Sequence, residues 1–493
     1  MKRTAAGVIL AVLLTGCVLA GPGGVSPPPE PDGEAESSPP PWTAAGKKPH
    51  SGMFGIAWNP KDRLGPLITA NRVNREMYTL IYDGLFVLDW RFEPVESLCA
   101  GMTTEDNLTF LISLRPDVDF HDGSPLTVAD VVASFRIARS DASPYSSRFS
   151  HVESVKAAGE EIEVVLDRPD GRFAALLTFP IVKSGDRAFP PAGTGPYMFS
   201  SADGRNFLTP FSDWWRREPL PAGHIELNAV DRIEDITYMM SVGDISIVTS
   251  DVNDGYGVGF SGDFDIWEYP TPTMYYVGLN MDHPMLADAR VRQAISCVFD
   301  REGLVSQVFK KAADPALAAV PPSVFDPGGG YDLVRYTELI TLAGLEDTDN
   351  DGVLDYAAGR ARVPFELRFI VDEDDSAACQ TAEFLAKALN AAGIAAAAEP
   401  LTGTQLAIDI DDGNYGLYCA KVTLSADFSQ ERWISNAAGL PLERQTELFL
   451  EMMPIVPLLF KRERVLTHWS EVSGIMPVYG NPYVNIWEWT VKQ

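Results

Sequence analysis

The sequence predicts a mixed α/β protein divided into several lobes. A chain of 493 residues is too long for one ordinary domain, and at roughly 100 to 200 residues per domain it would form two to four lobes. Alternating apolar patterns typical of strands and spacings typical of amphipathic helices both recur along the chain. Nothing repeats at a fixed period, so solenoids and propellers are set aside.

The strand-like patterns begin soon after the amino-terminal region. Gly55 to Trp58 begins a short strand, and residues 73–88 combine helical spacing with an aromatic-rich end. Residues 108–114 alternate in hydrophobicity and are closed by Arg115-Pro116, which predicts a strand followed by a turn.

A helix is predicted to begin at Thr127. This residue stands three positions before Asp130, which resembles a capping box with Asp in place of Glu or Gln. Val131, Phe135 and Ala138 follow on one helical face. Further strands are predicted at 162–166, 245–249 and 275–279, and a further amphipathic helix is marked by Val291, Ile295 and Val298.

Composition excludes several classes of protein. Hydrophobic residues make up 46% of the chain and charged residues 22%, which is ordinary for a soluble globular protein and excludes wholesale disorder, collagen and a multi-span membrane protein. The chain has 39 Lys plus Arg and 68 Asp plus Glu, a net charge of −29. Such an acidic surface repels phosphate backbones, so nucleic acid is not expected as a partner.

The amino terminus predicts export and a lipid anchor. Lys2 and Arg3 precede the apolar stretch 5–16, which is too short to remain as a membrane-spanning helix and is typical of a signal peptide over residues 1–16. The stretch ends in Leu14-Thr15-Gly16-Cys17, which resembles the bacterial lipobox and implies lipidation at Cys17. The alternative is an ordinary signal peptide with a chance cysteine.

Residues 17–50 are predicted to form a tether. Val18 to His50 contains nine Pro and five Gly and almost no large apolar side chain, so it cannot offset its ordering entropy. The anchored protein would then lie outside the cytoplasm, with its folded body beginning near Gly52.

The other cysteines leave two interpretations open. They stand singly, with no CxxC pair, at Cys99, Cys297, Cys379 and Cys419. Outside the cytosol they could form disulfides whose connectivity the sequence does not define, or remain as buried thiols.

Sequence patterns that resemble enzyme motifs are excluded by the residues around them. Gly257 to Gly262 matches GxGxxG, but residues 263–272 that follow are strand-like and contain two prolines, where a dinucleotide site needs a helix. A serine-hydrolase elbow fails at Asp263, which stands where the second glycine is required. No two histidines are spaced i, i+4, so a sequence-local zinc protease site is absent.

An acidic loop resembles an incomplete calcium loop. Asp347, Asp349 and Asp351 occupy positions 1, 3 and 5, and Asp355 occupies position 9. Ala358 replaces the bidentate Glu, so any calcium site would be weak. No cofactor or firmly bound metal is expected.

A long run of residues carries a family resemblance. The stretch from Tyr82-Asp83-Gly84-Leu85-Phe86 through 110–135 is similar to the signature of the family 5 extracellular solute-binding proteins, the peptide, nickel and opine binders of ABC importers. Further matches in the family's order are Gly193-Thr194-Gly195-Pro196-Tyr197, Trp214-Trp215, Gly243-Asp244-Ile245, Leu279-Asn280, the stretch 288–302, Pro454 to Leu458 and Asn485 to Trp489.

The resemblance implies a two-lobed periplasmic-binding-protein-like fold with a hinge and an extra domain. Ligand would be buried between the lobes, and hinge strands would lie near 184, 270 and 464. The implied division is lobe I at 51–74, 184–269 and 464–493, the extra domain at 75–183, and lobe II at 270–463.

Aromatic residues are candidates for the walls of the binding cleft. Trp214, Trp215, Tyr275 and Tyr276 are selected because clefts for peptides use aromatic walls. His121 is expected to hydrogen-bond a loop, and Gly123, Gly193 and Gly195 are expected to form turns.

The resemblance also implies a carboxylate that holds the ligand's amino terminus. Aligning the family's Tyr-Asp-Leu strand on Tyr415-Gly416-Leu417 places Ser425 where the anchoring aspartate would be, with Asp427 two positions on. Ser425 and Asp427 are therefore candidate ligand contacts, and the departure from the family pattern puts peptide specificity in doubt.

The sequence therefore predicts a lipid-anchored receptor, not an enzyme. It would capture a small solute, an oligopeptide in the first instance, and present it to an ABC permease in the membrane. Two alternatives remain open: a family member that acts as a sensory or adhesion partner, and, with less support, a secreted hydrolase.

Overall fold

The computed structural model describes residues 54–251, 260 and 262–492. The predicted signal peptide 1–16, the lipidation site Cys17, the tether 17–50 and most of the glycine pattern at 257–262 lie outside the described residues. No helix in the described ranges is long and apolar enough to cross a membrane.

Strands and helices alternate along the described chain. The helices are α1 (Arg72–Tyr78), α2 (Val128–Ala138), α3 (Ile233–Val242), α4 (Ala289–Cys297), α5 (Arg301–Gln307), α6 (Leu333–Ala343), α7 (Ser376–Ala391), α8 (Gly403–Asp411) and α9 (Leu442–Met452). The strands are β1 (Gly55–Trp58), β2 (Phe86–Leu88), β3 (Pro94–Glu96), β4 (Cys99–Thr103), β5 (Thr109–Leu114), β6 (Val152–Ala158), β7 (Glu161–Leu166), β8 (Tyr197–Ala202), β9 (Arg205–Pro210), β10 (Ile225–Ala229), β11 (Ile247–Ser250), β12 (Phe264–Leu279), β13 (Ala313–Pro315), β14 (Asp355–Ala358), β15 (Ala361–Pro364), β16 (Glu366–Asp372), β17 (Ala395–Leu401), β18 (Leu417–Thr423), β19 (Ile455–His468), β20 (Val472–Ser473) and β21 (Thr490–Val491).

Three larger sheets organise these strands. The first has the order β1-β10-β9-β8, with β1 and β10 parallel. The second is an antiparallel sheet in the order β4-β5-β7-β6. The third has the order β11-β19-β12-β18-β16-β17, with β13 beside β19. Mixed parallel and antiparallel pairing is what the predicted α/β class requires.

The sheets contribute to three main hydrophobic cores, and the third sheet contributes to two of them, because Ile247, Tyr269 and Val465 on its strands lie in the first core. The first core is built from residues within 54–82, 197–269 and 465–489. The second lies within 67–181 and the third within 275–459. The first core draws on three separated stretches of chain, so the chain leaves it and returns twice.

A smaller apolar cluster joins the second core to the third. It packs Leu88, Phe92 and Ala175 against Phe428 and Phe460. The ring centroids of Phe92 and Phe428 are 5.3 Å apart in an edge-to-face arrangement, the geometry that aromatic pairs favour.

Two long strands run through the positions predicted as hinges near 270 and 464. Strand β12 has 16 residues and pairs antiparallel with the 14-residue β19, with Pro270 opposite Arg462 and Glu268 opposite Arg464. The register shifts between Pro270 and Met274, where the prolines interrupt the hydrogen-bond ladder. The predicted strand at 275–279 is the end of this longer element.

Helix α2 begins as predicted. The Asp130 carboxylate accepts a hydrogen bond from the backbone N–H of Thr127 at 2.9 Å, which closes half of the capping box. Val131, Phe135 and Ala138 are fully buried in the second core.

Elsewhere the element ends differ from the predicted ones. The helical pattern in 73–88 corresponds to helix α1, which already ends at Tyr78. The strand expected at 245–249 begins at Ile247. Val298 lies just beyond α4 as its C-cap.

The glycines of the Gly193-Thr194-Gly195 motif have a different role from the predicted one. Their φ angles are not positive, unlike Gly123, whose φ of 80° does form a turn. A Cβ on Gly193 would lie 2.0 Å from the carbonyl oxygen of Ile81. Close backbone approach, not a turn, therefore requires glycine at position 193. His121 supports this loop, because its Nε2 lies 3.0 Å from the Gly195 carbonyl oxygen.

Candidate functional site

A cavity of about 690 Å³ opens between the second and third cores, so its walls belong to the predicted extra domain and lobe II and not to lobes I and II. One wall comes from residues 147–151 and 168–172, and the other from 423–432 and 440–445. Its volume falls in the range of roughly 300 to 1,000 Å³ that small-molecule sites occupy. Ser425 and Asp427, the two candidates from the anchor alignment, both line it.

The loop that carries Asp427 is fixed on both sides. It leaves strand β18 at Thr423, and the Gln430 amide packs on helix α9, where its Nε2 donates to Thr446 Oγ1 at 2.7 Å. Phe428 is 1% exposed with a φ of 53°. A bulky residue in this left-handed conformation is strained and needs the surrounding packing to hold it, which the Phe92 contact supplies.

One oxygen of the Asp427 carboxylate has no hydrogen-bond partner within the described chain. This Oδ1 atom is shielded from solvent, whereas the backbone N–H of Ser429 interacts with the carboxylate. Burial raises the pKa of Asp427 to about 6, and the nearby Asp170 carboxylate adds to the rise while His151 opposes it. A carboxylate in this state favours any ligand group that brings a positive charge.

His151 and Asp170 form a pair in the opposite wall. The Nε2 atom of His151 lies 3.2 Å from Asp170 Oδ2, and the His151 side chain is almost fully buried. No serine or cysteine in the described ranges hydrogen-bonds to His151. Within the described ranges, the hydrogen-bond partner of the His151 ring is therefore a carboxylate.

Arginines supply the positive charge of the cavity. Arg168 pairs with Glu431 at 2.7 Å, which links the two walls, and Arg172 pairs with Glu93 at 2.9 Å. The lining also includes Arg148 and Arg432, together with the carboxylates of Glu93, Asp170, Asp427, Glu431 and Glu443. Both signs of charge therefore face the same space.

The four aromatic candidates do not line this cavity. Trp214 is 2% exposed and packs against Trp487. Trp215 donates from its indole Nε1 to the buried carboxylate of Asp83 at 2.9 Å, and burial raises the pKa of Asp83. Both tryptophans therefore lie in structural clusters away from the cavity.

The two tyrosines lie side by side on strand β12 and point to opposite faces. Tyr275 is fully buried in the third core, with its hydroxyl 3.3 Å from the Asp375 carboxylate. A cleft-wall position for Tyr275 disagrees with this burial. Tyr276 is half-buried and packs edge-to-face with Tyr418.

Five cavity residues had no signal in the sequence. They are Arg148, His151, Arg168, Asp170 and Arg172. They lie more than 250 positions before Asp427, so only the tertiary fold brings them to it.

The acidic loop brings three of its four candidates together. Carboxylate oxygens of Asp347, Asp349 and Asp355 lie within 4.8 Å of one another, without Asp351. Asp355 also accepts a hydrogen bond from the Thr348 backbone N–H at 3.0 Å. Hydrogen bonds within the loop hold its acidic residues in a turn. The weak calcium site stays a prediction.

The four cysteines of the described body are free thiols. Cys99 and Cys419 are buried, whereas Cys297 and Cys379 are partly exposed. Burial raises the pKa of the Cys99 thiol to about 11, so it is not a reactive thiolate. Of the two interpretations, the structure has free thiols, of which Cys99 and Cys419 are buried.

Comparison with known proteins gives the family and the fold. The glutathione-binding protein GsiB of Salmonella paratyphi A is 24% identical to this chain over 307 residues, which cover 58% of the chain and 60% of that protein. The oligopeptide-binding protein AppA of Bacillus subtilis is 23% identical over 320 residues, which cover 59% of the chain and 58% of that protein. The alignments therefore span less than two thirds of the length of these relatives.

The structural likeness extends further along the chain. The crystal structure of a nickel ABC transporter from Bacillus halodurans is similar with a TM-score of 0.68 at 14% identity, covering 87% of this chain and 97% of that one. This likeness confirms the predicted two-lobed, periplasmic-binding-protein-like α/β fold. The family model described as bacterial extracellular solute-binding proteins, family 5 Middle, matches residues 93–434. The protein therefore belongs to the family 5 extracellular solute-binding proteins.

Proposed function

We propose that the protein is the lipid-anchored receptor of an ABC importer, and that it captures a short peptide in the cavity and delivers it to the membrane permease. The observation that carries this proposal is the Asp427 carboxylate, whose Oδ1 atom is shielded from solvent and lacks a partner within the described chain. A buried carboxylate without a counter-charge is costly. The amino terminus of a peptide would supply that charge.

The rest of the cavity suits a peptide as well. Four arginines and five carboxylates line it, so a ligand with charges of both signs can find partners for each. Ser147, Ser150 and Ser429 also line it, and serine hydroxyl groups can hydrogen-bond a peptide backbone. The volume of about 690 Å³ favours a few residues over a long chain.

The names of two relatives support a peptide ligand. One is named as a glutathione-binding protein and one as an oligopeptide-binding protein. Glutathione is itself a small peptide with charges of both signs. We infer that this chain takes a solute of the same general chemistry.

A free metal ion is a less suitable ligand. Within the described ranges, the metal-ligating side chains that come together are Asp347, Asp349 and Asp355, and none of them lines the cavity. The nickel named for the structural relative therefore has no matching ligand set in this cavity.

In this proposal the receptor breaks no bond. His151 has a carboxylate partner but no hydroxyl or thiol partner in the described part of the chain, which speaks against the hydrolase alternative. The alternative of a sensory or adhesion partner predicts that no small solute is retained.

Native mass spectrometry of the purified protein tests the proposal. We expect the wild type to carry a retained peptide-like mass that dissociates on unfolding, and the Asp427→Ala protein to carry less of it. Absence of any bound solute, together with no binding of a mixed tripeptide library, would contradict the proposal and favour the sensory or adhesion partner.

The lipid anchor is tested separately. We expect Cys17→Ser to release the protein from the membrane fraction, because the cysteine thiol is the proposed site of the lipid. Failure of labelled palmitate to enter the wild type would contradict the anchor and leave the solute-binding proposal intact.

A further inference from the structure

Two neighbouring contacts join the opposite walls of the cavity. The Nε atom of Arg168 lies 2.7 Å from Oε2 of Glu431, and both residues line the cavity. The next residue, Pro169, packs against Gly439, because a Cβ atom on Gly439 would lie 3.0 Å from the Cδ atom of Pro169. We call these four residues the cross-wall contact.

Glycine at position 439 permits this close approach. The φ angle of Gly439 is 72°, in the left-handed region that residues with a side chain rarely adopt. A side chain at this position would also press on the ring of Pro169. The backbone of one wall therefore lies directly against the other wall, and the two walls leave little space between them here.

Hydrogen bonds beside the cross-wall contact hold each wall in place. On one side, the backbone N–H of Asp170 donates to the carbonyl oxygen of Asn107 at 2.9 Å, in the turn between β4 and β5. On the other side, the backbone N–H of Gln430, next to Glu431, donates to Oε1 of Gln445 at 2.8 Å in the protein interior. Displacing either wall would disturb these bonds, and breaking a buried hydrogen bond is costly.

The cross-wall contact lies on the solvent side of the cavity. The side chains of Arg168 and Glu431 are 33% and 23% exposed, whereas the side chain of His151 is 6% exposed. The Oδ1 atom of Asp427 is shielded from solvent. The contact therefore narrows the way out of the cavity on this side.

We propose that the cross-wall contact limits the ligand to short peptides, and that the Arg168–Glu431 pair sets this limit. The inference rests on the proposed function. A volume of about 690 Å³ equals that of a cube with an edge of about 9 Å, which an extended chain crosses in about three residues. A nonapeptide spans about 30 Å, so from Asp427 it would extend beyond the cavity, where the joined walls stand in its path.

A long ligand would bear a cost that a short one avoids. A peptide inserted between Arg168 and Glu431 would separate the two charges and displace Pro169 from Gly439. A peptide that ends inside the cavity leaves all of these contacts in place. Because a partly exposed ion pair contributes little to folding stability, the pair can be changed without unfolding the protein.

The test offers the full-length protein an equimolar mixture of a tripeptide library and a nonapeptide library of the same composition. Native mass spectrometry measures how much of each is bound. We expect the wild type to bind tripeptides about tenfold or more in preference to nonapeptides. In Arg168→Glu, two like charges face each other across the walls and repel, so the preference should fall below about threefold.

Two further variants separate a length limit from a structural role. Arg168→Glu combined with Glu431→Arg restores an ion pair with its charges exchanged, and should restore the preference. Arg335→Glu makes the same charge reversal at an exposed arginine that pairs with Glu338 at 3.1 Å outside the cavity, and should leave the preference unchanged. A purely structural role for the pair would instead change the binding of both libraries by the same factor.

The outcomes are distinguishable. Equal binding of the two libraries by the wild type would overturn the inference and leave the proposed function standing, as would a preference that Arg168→Glu does not reduce. Binding of neither library would overturn the proposed function and the inference with it. If Arg168→Glu does not fold, Glu431→Gln, which removes one charge without adding repulsion, takes its place with the same expected loss of preference.

Discussion

Asp427 and Ser425 line the same cavity but are expected to contribute unequally to binding. Asp427→Ala should weaken an amine-bearing ligand by about 2 to 5 kcal/mol, because the buried ammonium loses its counter-charge. Ser425→Ala should cost about 0.5 to 1.5 kcal/mol, the range for one neutral hydrogen bond. Titration calorimetry with the ligand recovered from the protein measures both. Negligible effects from both changes would mean that this loop does not hold the amine.

The raised pKa of Asp427 also predicts a pH-dependent cost in stability. The folded pKa of about 6 lies above the unfolded value of about 3.9, so the folded state binds the proton more tightly. Ionisation therefore destabilises the ligand-free protein as the pH rises from about 4 through about 6. Asp427→Asn removes this cost and should raise the free energy of unfolding at pH 7.5 by on the order of 1 to 3 kcal/mol, with little effect near pH 4.

Urea unfolding at the two pH values measures this effect, and Asp122→Asn is the control of opposite sign. The Lys183 ammonium lowers the pKa of Asp122 to about 2, so removing this charge should lower stability at pH 7.5. A stabilising effect of Asp427→Asn that is equal at pH 4 and pH 7.5 would contradict the ionisation account.

At this scale the sequence singled out residues on one wall of the cavity, Ser425 and Asp427, and none on the other wall. Asp427 could be found because it follows a recognisable strand within its own segment. Arg148 and His151 could not be identified from the sequence, because no local pattern shows which distant loop they face. Tyr275 was misassigned because alternation along a strand says that Tyr275 and Tyr276 face opposite sides, but not which side is the core.

Helix α2 is the element whose beginning the sequence predicted best. Asp130 is 7% exposed, and its carboxylate accepts from the backbone N–H groups of Thr127 at 2.9 Å and Ser184 at 2.8 Å. Asp130→Ala leaves both donors without a partner, so we expect a loss of about 2 to 4 kcal/mol in the free energy of unfolding. Thr127→Ser, which keeps the hydroxyl, is the control. A loss below about 0.5 kcal/mol in urea unfolding would mean that the cap is dispensable.

Strand β12 shows why element lengths were harder to predict. Residues 263–272 and 275–279 look strand-like separately, and the prolines between them suggest a break. In the structure the chain continues as one strand. The pairing register shifts between Pro270 and Met274, so the missing N–H groups of the prolines interrupt the ladder only locally. Both segments pair with the same strand, β19, which lies nearly 200 residues later in the chain. This pairing makes them one element.

On the scale of the whole molecule, the account predicts that ligand shifts the population of open and closed states. A ligand that contacts both walls of the cavity stabilises the state in which the walls are close. Small-angle scattering should therefore give a smaller radius of gyration for loaded than for ligand-free protein. An unchanged profile with a confirmed ligand would indicate a rigid, preformed pocket.

The fold class could be predicted because its signature is a continuous run of sequence from 110 to 135, with further matches in a fixed order. The cavity could not, since it forms where two cores from distant parts of the chain meet. The cluster of Phe92 and Phe428 that joins these cores pairs residues that are more than 300 positions apart. Local patterns carry no information about such a contact.

The central claim is that solute is held between the two walls of this cavity, and amide hydrogen exchange measures this most directly. Peptide ligand should slow exchange in residues 147–151 and 168–172 on one wall and in 423–432 on the other, because both walls contact it. The exposed hairpin of β14 and β15 should be unaffected. Protection confined to one wall, or found only outside these segments, would contradict the claim.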